Sequence, residues 1–195
     1  MVNVKRLRCL IGWLGMLLPW IVVLLLGRFP DSISSTYYTW QAGAVFMIVL
    51  GSASILLMYY DGYSKVDDVL NTIGGFLGLG VCLFPCFAKM DYVGTFQLPV
   101  NVSNVLHNIS AVGFFLILAF NSLFLFTRSG GNMTAKKKAR NVIYRVCGCG
   151  MIGAFALFIL PNFYIKIWLI ETIALTFFGV SWLTKANAYK WLFAD

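Results

Sequence analysis

The stretch CLIGWLGMLLPWIVVLLLG, residues 9–27, decides the fold, because nineteen consecutive residues without a charge suit the interior of a bilayer. A hydrocarbon core of about 30 Å is crossed by roughly 20 apolar residues in an α-helix. Comparable apolar stretches follow at about 40–60, 69–88, 105–127, 143–161 and 166–184. The sequence therefore predicts an all-α fold: a polytopic transmembrane helix bundle with six spans, forming a single membrane domain over residues 1–195.

The composition of the chain agrees with a membrane protein. Hydrophobic residues make up 60% of the sequence and charged residues only 11%, whereas soluble domains carry about 25% charged residues. No alternating pattern typical of β-barrel strands is present. The first apolar stretch is longer than a signal-peptide core and no small-residue cleavage site follows, so we expect a retained helix.

The distribution of Lys and Arg predicts the orientation. If the N-terminus is cytoplasmic, twelve of the fifteen Lys and Arg residues fall in inner segments, and only Arg28, Lys89 and Lys166 fall in outer ones. Basic segments stay in the cytoplasm, so both termini are predicted inside, in a bacterial inner membrane. The run AKKKAR, residues 135–140, can also contact anionic lipid headgroups. No folded nucleic-acid-binding module accompanies it, so no nucleic-acid partner is predicted.

Glycines in two spans predict close helix contacts. Gly74 and Gly78 have GxxxG spacing in the third span, and the fifth span contains Gly148, Gly150 and Gly153. Helices in lipid associate by close packing, which missing side chains permit. We expect these two helices at the centre of the bundle. The alternative is that the glycines line a substrate path.

Polar groups at membrane depth give the candidate ligand-binding centre. Glu171 lies near the outer end of the last span, and His107 opens the fourth span from the same side. Asn108 follows His107, and Asn121 lies deeper on the same helix. Ionisable groups inside a membrane are expensive and indicate function by default. We expect His107 and Glu171 to point into the bundle and to meet each other, another polar group such as Asn108, or a wet cavity. The alternative is a protonated or hydrogen-bonded structural Glu171.

Cysteine spacing offers a candidate metal site. Cys82 and Cys86 stand at i and i+4 and would share one helix face, where His107 could join them. Pro85 lies between the cysteines and no fourth ligand is evident, so we predict no metal and no cofactor.

Three carboxylates mark the cytoplasmic hairpin between the second and third spans. Asp61, Asp67 and Asp68 lie in the sequence DGYSKVDD, residues 61–68. Asp67 or Asp68 would suit the N-cap of the third span. The acidic hairpin is therefore interpreted as capping and ion pairing, with a cation or headgroup site as the alternative.

Several short motifs carry a resemblance to a known group. They are Tyr60-Asp61-Gly62-Tyr63 with Asp67, Leu83-Phe84-Pro85, Leu106–Ala111 with Phe114-Phe115, Arg140-Asn141 with Tyr144-Arg145, and Glu171 with Phe178–Leu183. Over about residues 32–185 the chain resembles a group of uncharacterised six-helix bacterial integral membrane proteins and, more distantly, the DRAM/Sfk type, which is associated with lipid organisation. The resemblance implies the fold and topology, and no reaction.

Function is less determined than fold. No HExxH, GxSxG, Walker A or dinucleotide-binding signature is present, which argues against an enzyme. The favoured hypothesis is a non-enzymatic membrane protein that binds a lipid or small amphiphile in an outer-leaflet cavity near His107 and Glu171. The alternatives are an oligomeric channel or transporter with those residues along its path, and a membrane-embedded lipid hydrolase or transferase. The expected partners are membrane lipids and, in the channel alternative, further copies of the chain.

Overall fold

The computed structural model describes residues 3–62, 64–129, 131, 133–157 and 167–188. Within them the protein is all-α, with six long helices. Their bounds are Val4–Leu26 (α1), Trp40–Met58 (α2), Lys65–Leu83 (α3), Val100–Phe120 (α4), Ala135–Ala156 (α5) and Ile167–Lys185 (α6). A short 3₁₀ helix, Ser34–Tyr38, precedes α2. A small antiparallel hairpin of β1 (Tyr92–Val93) and β2 (Leu98–Pro99) precedes α4.

The helices form a ring in chain order. Each helix packs against the next, and α6 closes the ring by packing along α1. The interior is filled by large side chains from several helices, including Leu18, Phe46, Leu118, Phe178 and Trp182, all buried. The ring brings the start of α1, the connection after α4 and the end of α6 to the same end of the bundle.

Five of the six helices are long and apolar enough to cross a membrane, namely α1, α2, α3, α4 with its extension to Leu125, and α6. The helix α5 does not meet this criterion over its described residues. The predicted fifth span was 143–161. Part of it, and the start of the predicted sixth span, fall within residues 158–166, outside the described residues.

The predicted fifth span, 143–161, left the basic run 135–140 in a loop before the helix, and that prediction was wrong. The Thr134 side chain accepts a hydrogen bond from the Lys137 N–H and caps α5, which begins at Ala135. Such a cap offsets unpaired N–H groups in the first turn. The charges of AKKKAR are therefore fixed on a helix.

The predicted bounds of α3 were also wrong. The helix begins at Lys65, with Ser64 rather than Asp67 or Asp68 at the N-cap position. It ends at Leu83, two residues before Pro85, because helical geometry is disfavoured for the residue before a proline and Phe84 is extended. Cys86 therefore lies beyond the helix, and the shared helix face predicted for Cys82 and Cys86 does not exist.

The glycines of α3 do contact neighbouring helices. A Cβ on Gly75 would lie 2.6 Å from the Ser54 carbonyl oxygen, and a Cβ on Gly78 would overlap the Ser54 hydroxyl. However, α3 and α5 are separated in the ring and do not form its centre. A contact that the glycine pattern did not reveal joins α1 to α6, where a Cβ on Gly179 would lie 2.9 Å from the Gly12 carbonyl oxygen.

Candidate functional site

A basic pocket lies at one end of the bundle. Its volume is about 570 Å³. It is lined by five cationic side chains from four separate parts of the chain: Arg8 of α1, Arg128 after α4, Lys137 and Arg140 of α5, and Lys185 of α6. No carboxylate is among the described residues that line it. We call this cavity the basic pocket.

Two aromatic rings and a carbonyl hold the lysines of the basic pocket. The Nζ atoms of Lys137 and Lys185 lie 5.6 Å and 5.9 Å from the centre of the Tyr144 ring. Lys185 Nζ also lies 5.0 Å from the centre of the Phe126 ring, and Lys137 Nζ donates to the Phe126 carbonyl at 2.7 Å. Cation–π contacts of this kind stabilise a partly desolvated ammonium group. Both ammonium groups are therefore fixed at the wall of the cavity.

Two of the arginines are oriented by polar side chains. Arg8 Nε donates to the Tyr60 hydroxyl at 3.2 Å, and its guanidinium lies 5.3 Å from the centre of the Tyr60 ring. Arg140 Nη1 donates to Asn187 Oδ1 at 2.5 Å. Both of these partners are neutral groups that orient the guanidinium.

The cations of the basic pocket are close enough to affect one another. Burial, and then the charge of Arg140, lowers the pKa of Lys137, which lies in the first turn of α5 ahead of the apolar part of the helix. Lys137, Arg8 and Arg140 add to the positive potential at Lys185, and the Asp67 carboxylate partly offsets them. Lys185 is 7% exposed. The folded chain thus concentrates positive charge in a place that an anion would stabilise.

The third arginine is paired with a buried carboxylate. Arg128 Nη1 lies 2.8 Å from Asp67 Oδ1, and Asp67 is 2% exposed whereas Arg128 is 47% exposed. The Ser64 hydroxyl donates to the same oxygen at 2.8 Å. The ion pair predicted for the acidic hairpin is therefore present, and it lies at the edge of the basic pocket.

A row of buried, hydrogen-bonded polar residues runs from Asp67 into the bundle. Asn71 Nδ2 donates to the Asp67 carbonyl at 2.8 Å, and Asn121 Nδ2 donates to Asn71 Oδ1 at 2.7 Å. Asn121 opens a π-helical turn, Asn121–Leu125, which extends α4. The sequence hypothesis grouped Asn121 with the outer polar centre, but the structure connects it to the Asp67 end of α3.

The other carboxylates of the acidic hairpin are not part of this row of hydrogen-bonded residues. Asp68 Oδ1 accepts a hydrogen bond from the Gly62 N–H at 2.7 Å, and this contact fixes the turn before α3. Asp61 is exposed. Neither residue lines the basic pocket as the structure describes it.

At the opposite end, Glu171 is bound by the loop after α1. Its carboxylate accepts hydrogen bonds from the Ile33 N–H at 2.5 Å and from the N–H and hydroxyl of Ser34. These groups open the 3₁₀ helix, so Glu171 caps that helix from α6. Glu171 also lines a cavity of about 40 Å³. A cavity of this size holds a few water molecules, because one water needs roughly 10–15 Å³ measured in this way.

His107 is buried and has a different partner. Its Nδ1 atom lies 2.8 Å from the Phe84 carbonyl oxygen. Among the described residues no hydrogen bond or ion pair joins His107 to Glu171, and His107 does not line the Glu171 cavity. Asn108 is exposed on the other side of α4. The four residues of the predicted polar centre, His107, Asn108, Asn121 and Glu171, therefore lie in separate environments.

The candidate metal ligands are also dispersed. Cys82 Sγ lies 3.9 Å from the Met47 carbonyl oxygen. Cys86 accepts a hydrogen bond through its carbonyl oxygen from the Tyr38 hydroxyl at 2.6 Å. Burial, and then the Glu171 carboxylate, raises the pKa of the Cys86 thiol to about 11. Within the described part of the chain, no group of three or more His, Cys, Asp or Glu side chains is arranged to hold a metal ion.

Sequence reasoning identified the basic run and missed the pocket. Arg8, Arg128 and Lys185 were counted only as topology signals, and Tyr144 was noted only within a motif. The available signal was the placement of all these residues on one predicted side of the membrane. Comparison of the chain with protein-family models, with curated proteins and with solved structures finds no match.

Proposed function

We propose that the chain is a non-enzymatic integral membrane protein whose basic pocket binds the anionic headgroup of a membrane lipid at the cytoplasmic face. The observation that carries this proposal is the convergence of five cations around a cavity of about 570 Å³. Basic pockets between transmembrane helices suit anionic headgroups, and each Lys or Arg near the surface contributes about 1 kcal/mol to such binding. The apolar outer faces of the helices would keep the acyl chains in the surrounding bilayer.

Six spans with both termini in the cytoplasm fit this proposal. The helix α5 packs between α4 and α6, both apolar enough to span, so α5 would be the remaining span. The basic residues of α1, α5 and α6 meet at one end of the bundle, which the positive-inside rule assigns to the cytoplasm.

Cysteine accessibility tests this topology. Single cysteines at Thr95 and Ala135, in a chain whose five native cysteines are replaced, should react with an impermeant reagent from opposite sides of the membrane. Thr95 should react from outside and Ala135 only after the membrane is opened. Reaction of both positions from one side would contradict six spans.

Lipid binding is tested by a charge-removing substitution in the basic pocket. Lys185→Gln should weaken binding of phosphatidylglycerol about fivefold, because one cation contributes about 1 kcal/mol. Lys138→Gln is the control: Lys138 belongs to the basic run 135–140, is exposed and does not line the pocket. Native mass spectrometry of the purified chain, with phosphatidylcholine as the neutral lipid, measures the effect. Equal losses in the two variants would reject the pocket as the binding site.

The outer-leaflet site near His107 and Glu171 stays a prediction. A cavity of about 40 Å³ accommodates waters rather than a lipid headgroup, so the basic pocket is the better supported site. The channel or transporter hypothesis, the lipid hydrolase hypothesis and the kinship with the DRAM/Sfk type also stay predictions.

A further inference from the structure

The connection between α3 and α4, residues 84–99, folds back onto the bundle. It lies at the end opposite the basic pocket, because α3 begins at the edge of that pocket and ends here. A Cβ on Gly94 would lie 2.7 Å from Cδ of Pro85, so the turn of the hairpin packs on the proline that follows α3. The centres of the Phe84 and Phe96 rings are 5.9 Å apart. The hairpin therefore lies against the helix ends instead of extending away from them.

The backbone of the irregular segment 84–87 is bonded to side chains of the bundle. Its hydrogen bonds run in order along the chain: the carbonyls of Phe84, Pro85 and Cys86 accept from His107, Ser103 and Tyr38 at 2.8, 2.8 and 2.6 Å, and the Phe87 N–H donates to Asn104 at 2.9 Å. A loop in water can leave such groups to the solvent, whereas irregular backbone at membrane depth needs internal partners. The segment is therefore suited to apolar surroundings.

The connection exposes large apolar side chains. Phe87, Met90, Tyr92 and Phe96 are each more than half exposed. Both strands of the hairpin contact α4, and exposed apolar side chains continue along α4 from Val102 to Leu116. With its extension, α4 is apolar enough to cross a membrane. The apolar surface of the connection is therefore continuous with a helix face that is suited to lipid.

Charged and polar side chains stand between these apolar ones. Lys89, Asp91, Thr95 and Gln97 are exposed in the same connection. Hydrocarbon would exclude the two charges, and water would leave a patch of large apolar side chains uncovered, which marks an interaction surface. Aromatic rings among polar groups are typical of the boundary between lipid and water, where a lysine stem lies in lipid and its ammonium group in water. The composition thus favours the headgroup region as the surroundings.

We propose that the connection between α3 and α4 is an interfacial anchor. Its exposed apolar side chains, Phe87, Met90, Tyr92 and Phe96, insert into the headgroup region of the leaflet opposite the basic pocket. The partner of this surface is the bilayer itself. The anchor fixes how α3 and α4 sit in the membrane, since interfacial aromatic residues help to set the tilt of a helix. This inference does not depend on lipid binding in the basic pocket.

Spin labels on single cysteines test the anchor. Met90→Cys and Phe96→Cys are made in the full chain whose five native cysteines are replaced, labelled with a nitroxide and reconstituted in phosphatidylcholine liposomes. Collisions of the label with oxygen, which concentrates in lipid, are compared with collisions with a nickel chelate that stays in water. Ile109→Cys, on the exposed face of α4, is the lipid reference, and Asp61→Cys, in an exposed turn, is the water reference. We expect the oxygen-to-nickel ratio at Met90 and Phe96 to lie between the two references, well above that of Asp61.

The other outcomes reject the anchor. A ratio at Met90 or Phe96 equal to that of Asp61 would place the hairpin in water. Protection of both labels from both reagents would show a protein surface over the hairpin, and spin–spin broadening that disappears on dilution with unlabelled protein would identify that surface as a second copy of the chain. Met90→Cys keeps the test decisive if Phe96→Cys, which loses the contact with Phe84, does not fold. None of these results bears on the basic pocket at the opposite end.

Discussion

Replacement of Gly78 by leucine should destabilise the bundle, and the structure gives the size of the effect. A Cβ at this position would overlap the Ser54 hydroxyl oxygen and lie 3.1 Å from Cε2 of Phe114. The Ser54 hydroxyl donates to the Leu50 carbonyl at 2.7 Å, and this bond would be displaced. Overpacking costs about 1–3 kcal/mol and a lost hydrogen bond about 1 kcal/mol, while removing a helix glycine returns up to about 1 kcal/mol. We expect a net loss of about 1–3 kcal/mol.

The assay is reversible unfolding of the purified protein in mixed detergent, followed by circular dichroism. Gly78→Ala should have a smaller effect than Gly78→Leu, because only the Cβ must be accommodated. Gly51→Leu is the control, since a Cβ at Gly51 has nothing within 4 Å. If Gly78→Leu unfolds at the same detergent concentration as wild type, or if Gly51→Leu is equally harmful, α3 does not pack against α2 and α4 as described.

Two further substitutions probe the buried carboxylates. Asp67→Asn removes the charge that pairs with Arg128, so Arg128 becomes available to an anionic lipid. Phosphatidylglycerol binding measured by native mass spectrometry should strengthen about two- to fivefold, the range of a partly exposed ion pair. Weaker binding would show that Arg128 needs Asp67 to reach the ligand. Glu171→Gln weakens the hydrogen bonds from Ile33 and Ser34, so unfolding should become easier by about 1–2 kcal/mol with lipid binding unchanged. Lost lipid binding at normal stability in Glu171→Gln would instead favour the outer-leaflet site.

Hydropathy predicted the helices well because a bilayer requires long apolar segments whatever they pack against. It predicted their ends poorly, because ends depend on single residues. Both α3 and α5 begin earlier than the apolar pattern does, α5 with a side-chain cap from Thr134, and α3 ends two residues before Pro85. The packing of α1 on α6 includes a close approach of Gly12 to Gly179, and these glycines form no GxxxG pair within either helix.

The candidate sites show the same division between local and long-range information. Charge patterning predicted Arg8, Lys137 and Lys185 on one side of the membrane, but only the ring of helices brings them to one cavity. Glu171 was recognised as an expensive intramembrane carboxylate. Its partners are the backbone of Ile33 and Ser34, and backbone donors carry no sequence signature.

The most direct test of the basic pocket is a density map of the protein in nanodiscs that contain phosphatidylglycerol, with a parallel map in phosphatidylcholine. We predict headgroup phosphate density in the basic pocket, within hydrogen-bonding distance of Lys137 or Lys185, in the first map and none in the second. A pocket that holds only solvent in both maps, with ordered headgroups against other surfaces, would contradict anionic lipid binding at this site.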